Sequence, residues 1–330
     1  MNPDLSKFDK IRPPRPMLAR EADAMYWMAR YIERAEHVAR LLLVKQSVMT
    51  DTGDIEPEIE RQLWNIIPQI LRLPSLDEQA IAQRITHYMT FEPENISSIR
   101  SCVTRARENA RGIRENVSAE MWENLNTLYW STCGEEAPAR FDESPDAFFR
   151  SVMTGSLLFQ GLTDQTLPRD QRWLFAQLGK YLERIDVTCR VLEINHTELR
   201  QLEVELETPE RNIQWMGVLR SACSIEAYRR HNPGDMDPLR VAAFLLLEPN
   251  FPRSVRYSVR KAHEAIAALR AEIAPRKIDA AERILGRLEA QLEFAEMSEV
   301  LNEGLVPYLQ RIQRSIGETA LSIQKTYFLH

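Results

Sequence analysis

Two Glu-Arg dipeptides occur 150 residues apart, Glu33-Arg34 and Glu183-Arg184, and both lie in the pattern Tyr-(Ile/Leu)-Glu-Arg-x-(Glu/Asp)-x-x-x-Arg. A guanidinium group binds a planar carboxylate or phosphate through two parallel hydrogen bonds. A glutamate beside it can hold an amine or transfer a proton. We therefore predict that these four side chains are the candidate catalytic residues of a shared polar pocket.

Helical spacing places both arginines on apolar faces. The two stripes, in which neighbours are mostly three or four residues apart, are Trp27, Tyr31, Arg34, Val38, Leu41 and Leu174, Leu178, Tyr181, Arg184, Thr188, Val191. A charge that faces a core costs free energy unless a carboxylate or a ligand meets it. Two interpretations follow. Each arginine pairs with the carboxylate of the other motif and locks the bundle, or the four side chains surround a ligand.

The next helical turn adds further charges. Arg40 follows Glu36 by four residues, and Arg190 follows Asp186 by four, so intrahelical ion pairs are one interpretation and substrate or anion binding is the other. Carboxylates spaced i, i+3 on two helices are also typical of dimetal bundles, which need Glu-x-x-His twice. Val187 stands where the second histidine would be required. We therefore predict no metal site.

A separate group of arginines is predicted on one face of a later helix, with counterparts in the second half of the chain. The group is Arg100, Arg107, Arg111 and Arg114, and the counterparts are Arg256, Arg260 and Arg270. Arg100, Arg107, Arg111 and Arg256 are candidate residues for binding a substrate or an anion. The alternative is a solvated face balanced by nearby glutamates. Arg253 lies in the first turn of a predicted helix, where a cation is unfavourable, which indicates an anion nearby.

Composition limits the function classes. A net charge of −6 argues against a general nucleic-acid binder. The longest apolar run, Val241 to Leu247, is too short to cross a membrane, and four scattered cysteines without a Cys-x-x-Cys pair or a signal peptide are typical of a cytoplasmic protein. No nucleophile motif, phosphate loop or dinucleotide fingerprint occurs. We therefore expect no cofactor in this chain.

The order of Pro, Gly and helix-forming segments predicts an all-α protein. Residues 1–16, rich in Pro and basic residues, are predicted to form a flexible arm, and residues 17–330 a single helical domain. Within that domain 133–144 is predicted as a loop, and 208–230 and 278–302 as single helices. No stretch alternates with the period of a β-strand.

Several segments recur in the same order. Ser98-Ile-Arg100 matches Ser254-Val-Arg256 at an offset of 156, and the Glu-Arg motifs recur at 150. A single six-residue insertion reconciles the two offsets. We predict an ancestral duplication, with pseudo-repeated helical halves at about 17–145 and 165–330 that bring the two motif helices together in one bundle.

These segments together resemble the alpha-E family, a bacterial all-helical family named for its helices and its Glu-Arg motif. The resemblance runs from Met17 to the C-terminus and is strongest in the following segments: Met17-Leu-Ala-Arg-Glu-Ala-Asp-Ala-Met-Tyr-Trp27, Arg107-Glu-Asn-Ala-Arg111, Ser118-Ala-Glu-Met-Trp122, Arg229-Arg-His231 and Glu248-Pro-Asn-Phe-Pro252.

What the resemblance implies about function comes from the proteins that usually accompany members of the family. It implies a non-catalytic or co-catalytic subunit that works with an ATP-grasp-type amide-bond ligase in bacterial peptide synthesis or modification. ATP and Mg²⁺ are expected only on that ligase. Transglutaminase-like or proteasome-like peptidases are further expected partners, as is a homo- or hetero-oligomer. The alternatives are a stand-alone enzyme that uses the duplicated Glu and Arg residues on an amino acid or peptide, and a purely structural adaptor.

Overall fold

The computed structural model describes residues 17–74, 81–234, 236–273 and 279–329, so the predicted arm at 1–16 lies outside the described residues. Within these ranges the protein is all-α, as the sequence predicts, and contains no β-strand. The first seven helices are α1 Ala19–Thr52, α2 Pro57–Ile70, α3 Ile81–Phe91, α4 Ile99–Gly112, α5 Ala119–Cys133, α6 Ala137–Glu143 and α7 Pro145–Thr166.

The remaining helices follow a similar order of long and short elements. They are α8 Gln171–Gln201, α9 Thr208–Ser221, α10 Ile225–His231, α11 Pro238–Leu247, α12 Val255–Ile273, α13 Ala280–Glu293, α14 Met297–Glu303 and α15 Leu305–Ile323. A π-helical turn, Gln324–Phe328, follows α15. The similarity in order requires that α10 be left out of the comparison.

The two longest helices, α1 and α8, cross at the centre of the molecule. Both are buried on nearly every side along their middle turns, which is why their sequences lack a continuous polar face. At the crossing, a Cβ on Gly179 would collide with the carbonyl oxygen of Tyr26. Gly179 therefore lets the two backbones touch, and this close approach brings the middle of α1 against the middle of α8.

The helices around this crossing are arranged alike in the two halves. α4 and α7 pack on α1, and α12 and α15 pack on α8. The halves also cover each other, because α9 packs on α1 and α2 packs on α8. The ancestral duplication stays a prediction, but the order of contacts places the two Glu-Arg motifs in similar surroundings.

Three of the predicted boundaries are wrong. The segment predicted as a loop, 133–144, contains α6, which starts at a proline-containing first turn and packs Phe141 edge-on against Phe91. The predicted helix 208–230 breaks after α9 at Cys223, whose φ of 54° is left-handed. The predicted helix 278–302 ends at Phe294, and a capping box at Glu296 begins α14.

No helix in the described ranges is long and apolar enough to cross a lipid bilayer. α1 has the length, with 34 residues, but its middle carries the charged residues of the first motif. Those charges are buried against protein and lie in the bundle core.

Candidate functional site

The Glu-Arg motifs meet where α1 and α8 cross. The Arg184 guanidinium donates two hydrogen bonds to the Glu33 carboxylate, from Nε to Oε1 at 2.6 Å and from Nη2 to Oε2 at 3.0 Å. Arg34 does the same to Glu183, from Nε to Oε1 at 2.6 Å and from Nη2 to Oε2 at 2.9 Å. Each glutamate thus receives a bidentate arginine from the other motif.

The carboxylate of Glu183 also binds a second arginine, which lies outside the repeated motif pattern. Arg30, one turn before Arg34, donates from Nε to Oε2 at 2.9 Å and from Nη1 to the Tyr26 hydroxyl at 3.0 Å. Burial alone would raise the pKa of Glu183, but Arg34 and Arg30 hold it well below its usual range. Glu183 is therefore an ionised acceptor with no proton to give at neutral pH.

The carboxylates of Glu33 and Glu36 also contact an arginine that lies outside the two motif helices. Arg253 lies just before α12, where the Ser254 hydroxyl accepts a hydrogen bond from Tyr257 N at 3.1 Å and caps the helix. Its Nη2 is 3.1 Å from Glu36 Oε1, and its Nη1 is 3.9 Å from Glu33 Oε1. The anion expected near Arg253 is thus the protein's own carboxylate.

Buried polar groups complete the surroundings of Glu33. Gln160 on α7 donates from Nε2 to Glu33 Oε2, and His37 Nε2 lies 3.2 Å from Glu33 Oε1. Arg184 also donates from Nη1 to the carbonyl oxygen of Pro252 at 3.2 Å. Burial would raise the pKa values of Glu33 and of Glu36, but their arginine and histidine neighbours hold both below the usual range.

The next turn of each central helix adds one more ion pair. Arg40 donates to Glu36 on α1, and Arg190 donates from Nε to Asp186 Oδ1 at 3.1 Å on α8. These are the intrahelical pairs that one interpretation of the spacing described. Arg190 also donates from Nη1 to the carbonyl oxygen of Ile70 at 2.9 Å, which ties α8 to the end of α2.

The cluster contains more positive than negative groups. Its four carboxylates, on Glu33, Glu36, Glu183 and Asp186, meet six guanidinium groups, on Arg30, Arg34, Arg40, Arg184, Arg190 and Arg253. Burial, together with the nearby charges of Arg72, Arg34 and Arg30, lowers the pKa of Arg190 to about 10 against the opposing effect of Glu183.

Three ligand atoms of Glu33, Glu36 and His37 lie within 4.8 Å of one another, a spacing that a metal ion could bridge. The same carboxylates already accept bonds from Arg184, Arg253 and Arg40. A cation placed there would face three guanidinium charges at contact distance. The donor set therefore suits internal ion pairs and does not fit a metal.

The four predicted catalytic residues are not arranged around an open pocket. Glu33 and Glu183 have exposed side-chain fractions of 0% and 1%, and those of Arg184 and Arg34 are 7% and 14%. Their hydrogen-bonding groups face one another across the helix crossing. Of the two interpretations that the spacing allowed, the reciprocal pairing describes the contacts in the structure, and the catalytic role of these residues stays a prediction.

The second predicted group of arginines does not converge on one anion either. Arg107 lies 4.5 Å from the ring centre of Tyr129 and donates from Nε to Asn126 Oδ1 at 2.7 Å. Arg111 pairs with Glu108 at 2.8 Å, and Arg256, on α12, pairs with Glu293 at 2.8 Å. Arg100 is exposed on α4. The interpretation as a solvated, locally balanced face describes Arg111, while Arg107 is held against aromatic rings.

A family model described as a predicted alpha-helical domain with a conserved ER motif matches residues 17–328. Uncharacterized proteins of Mycobacterium bovis and Mycobacterium tuberculosis are 24% and 23% identical to the chain over 256 residues. These matches cover 72% of this chain but 28% of each relative, so the chain spans little more than a quarter of their length. No solved structure matches the chain.

Proposed function

The chain belongs to the Alpha-E family, and from that premise we propose that it is an accessory helical subunit of an ATP-grasp-type carboxylate–amine ligase in bacterial peptide synthesis or modification. In this proposal the ligase carries ATP, Mg²⁺ and the chemistry of amide formation. The helical subunit contributes a rigid frame and a surface for the partner or its substrate.

One observation carries the choice of an accessory role over a stand-alone enzyme. All four motif residues are engaged in two reciprocal bidentate ion pairs, and the glutamates are fully buried. A general acid or base must reach a substrate proton and change its protonation state near neutral pH. Glu33 and Glu183 do neither, because guanidinium groups occupy both carboxylates and keep them ionised.

The chain lengths of the mycobacterial relatives support a role beside other domains. In the mycobacterial proteins the matched segment is 28% of the chain. Most of each relative therefore lies outside the part that resembles this protein. A helical unit that occurs within a longer polypeptide is suited to work next to a second functional unit, and the proposal assigns that second unit to a ligase.

The proposal is tested by purifying the tagged protein from its native host and identifying co-purifying proteins by mass spectrometry. We expect an ATP-grasp ligase in stoichiometric amount, and we expect its ATP-dependent amide formation to increase when the helical protein is added. Recovery of the protein without a ligase, together with turnover of an amino acid or peptide by the protein alone, would overturn the proposal in favour of a stand-alone enzyme.

Two variants separate a frame from a catalyst within that assay. Arg34→Lys keeps the charge but loses the bidentate contact, and Glu183→Gln removes the carboxylate charge. If the motifs are structural, stimulation of the ligase by each variant falls in proportion to the folded fraction measured by circular dichroism. Loss of stimulation by fully folded Glu183→Gln would show that the motif acts in the chemistry.

A further inference from the structure

An open cleft of about 470 Å³ lies beside the second motif, where α2 and α15 both pack on α8. Its volume is in the range of small-molecule binding sites. Charged and amide side chains from all three regions line it, namely Arg72, Arg190, Glu193, Gln310, Gln313 and Arg314. Arg190 connects the cleft with the ion pairs of α8.

Three arginines form the positive side of the cleft, and they differ in how exposed their side chains are. Arg190 is fixed by Asp186 and by the carbonyl oxygen of Ile70, and its side chain is 11% exposed. Arg72 has a left-handed backbone with φ 57°, and its side chain is 63% exposed. Arg314 is exposed on α15. A planar carboxylate entering from solvent can therefore contact Arg72 and Arg314, with Arg190 behind them.

The negative side of the cleft is a single carboxylate. Glu193 accepts hydrogen bonds from Gln310 Nε2 at 2.7 Å and from Gln313 Nε2 at 2.5 Å, and among the described residues it has no Lys or Arg ion-pair partner. Gln313 also accepts a hydrogen bond from Arg72 Nη2 at 3.0 Å. The Gln313 carboxamide thus lies between the Arg72 guanidinium and the Glu193 carboxylate, which has no cationic partner among the described residues.

We propose that this cleft binds a free α-amino acid, with the ligand carboxylate on Arg72 and Arg314 and the ligand ammonium on Glu193. The pairing of charges is what selects this class of ligand. An inorganic anion would lie beside the Glu193 carboxylate without compensation, and an amine without a carboxylate would face the arginines. The inference concerns this chain alone and does not depend on the proposed ligase.

The binding test uses the full chain and the twenty common L-amino acids, each added singly at up to about 10 mM in isothermal titration calorimetry. We expect at least one of them to bind with a millimolar or lower dissociation constant. For that amino acid, the analogue without the ammonium group and the analogue without the carboxylate should each bind about tenfold more weakly or not at all. Absence of binding by all twenty, or equal binding of the analogue that lacks the ammonium group, would overturn the proposal.

Variants assign the binding to the cleft. Arg72→Gly removes the guanidinium and suits the left-handed backbone, so the fold is retained while affinity falls about tenfold or more. Glu193→Gln should weaken binding similarly. Matched controls are Cys223→Gly, at the corresponding left-handed position after α9, and Arg311→Ala, an arginine of α15 that pairs with Glu303 outside the cleft. Unchanged affinity in both cleft variants would place the ligand elsewhere and refute the assignment.

Discussion

Arg34 and Glu183 are joined by two hydrogen bonds of 2.6 and 2.9 Å, although 149 residues separate them in the chain. The exposed side-chain fraction is 14% for Arg34 and 1% for Glu183. The residues adjacent to them, Glu33 and Arg184, make the same contact with the roles of the helices exchanged. The crossing of α1 and α8 is therefore specified by charge as well as by packing, because a shift of either helix would leave buried charges without partners.

We expect Glu183→Gln to lower the free energy of unfolding by about 3 to 5 kcal/mol, since it leaves two arginines without their buried counter-charge. The matched control is Glu108→Gln, which breaks the exposed pair with Arg111 and a 3.5 Å contact with Arg107. The side chains of Glu108 and Arg111 are 44% and 68% exposed. That change should cost less than about 1 kcal/mol. Urea denaturation of both variants measures the difference, and equal losses would contradict a stabilising role for the buried pair.

Stability should fall in acid because of Glu33, Glu36 and Glu183. Their folded-state pKa values lie below the ordinary value of 4.5, so the unfolded chain binds protons first as the pH decreases. The contribution is complete above about pH 4.5 and is lost as the pH falls through the folded-state values. Chemical denaturation at pH values from 7 to 3 checks this. Glu183→Gln should show a shallower decline, and an identical slope would argue against the role of Glu183.

Lys45 also makes stability rise with pH, but in the alkaline range. It is buried beside a cavity of about 30 Å³ and contacts Gln214 Oε1 at 3.3 Å, and burial lowers its pKa from 10.5 to about 7. Between pH 7 and 10.5 the unfolded state binds the proton that the folded state has released, so stability rises with pH in that window.

Lys45→Met should remove that dependence and stabilise the protein near pH 7 by about 1 to 3 kcal/mol, because an uncharged side chain of similar length fills the site. Thermal or chemical unfolding at pH 7 and pH 9.5 measures both effects. Lys261→Met, which alters a partly exposed lysine paired with Glu264, is the control and should bring no such gain. A loss of stability in Lys45→Met at pH 7 would show that the ammonium group has a stabilising partner.

The left-handed residue after α9 offers a prediction about the backbone. Cys223 has φ 54°, and its N–H donates to the carbonyl oxygen of Arg220 at 3.0 Å while Ser224 N donates to Leu219 O at 2.9 Å. Glycine adopts this conformation without strain, so Cys223→Gly should stabilise the protein by about 1 kcal/mol. Cys223→Val should destabilise it, because β-branched residues are the least tolerant of positive φ. The order Gly, Cys, Val in melting temperature checks the assignment.

Much of the fold follows from local sequence. The span of α1, Ala19–Thr52, contains neither Gly nor Pro, and its long run of helix-forming residues leaves few alternatives to a helix. The possible pairing of the two motifs also followed from spacing, since an arginine in an apolar stripe requires a counter-charge. These are properties of one helix and its nearest turns.

The other features depend on contacts between distant segments. The break at Cys223 carries no sequence signal, because glycine or asparagine normally marks a left-handed helix end and a cysteine occupies this one. Arg30 and Arg253 could be assigned to Glu183 and Glu36 only after α1, α8 and α12 were in place. The cleft beside Arg190 likewise combines α2, α8 and α15, and no spacing rule relates Arg72 to Gln313.

The mutual covering of the halves has a consequence for assembly. Since α9 packs on α1 and α2 packs on α8, two chains that exchanged their C-terminal halves would recover the same contacts without a new interface. The connection 167–170 between α7 and α8 is the segment that would have to open for the exchange. One polypeptide thus contains all the surfaces of an intertwined dimer.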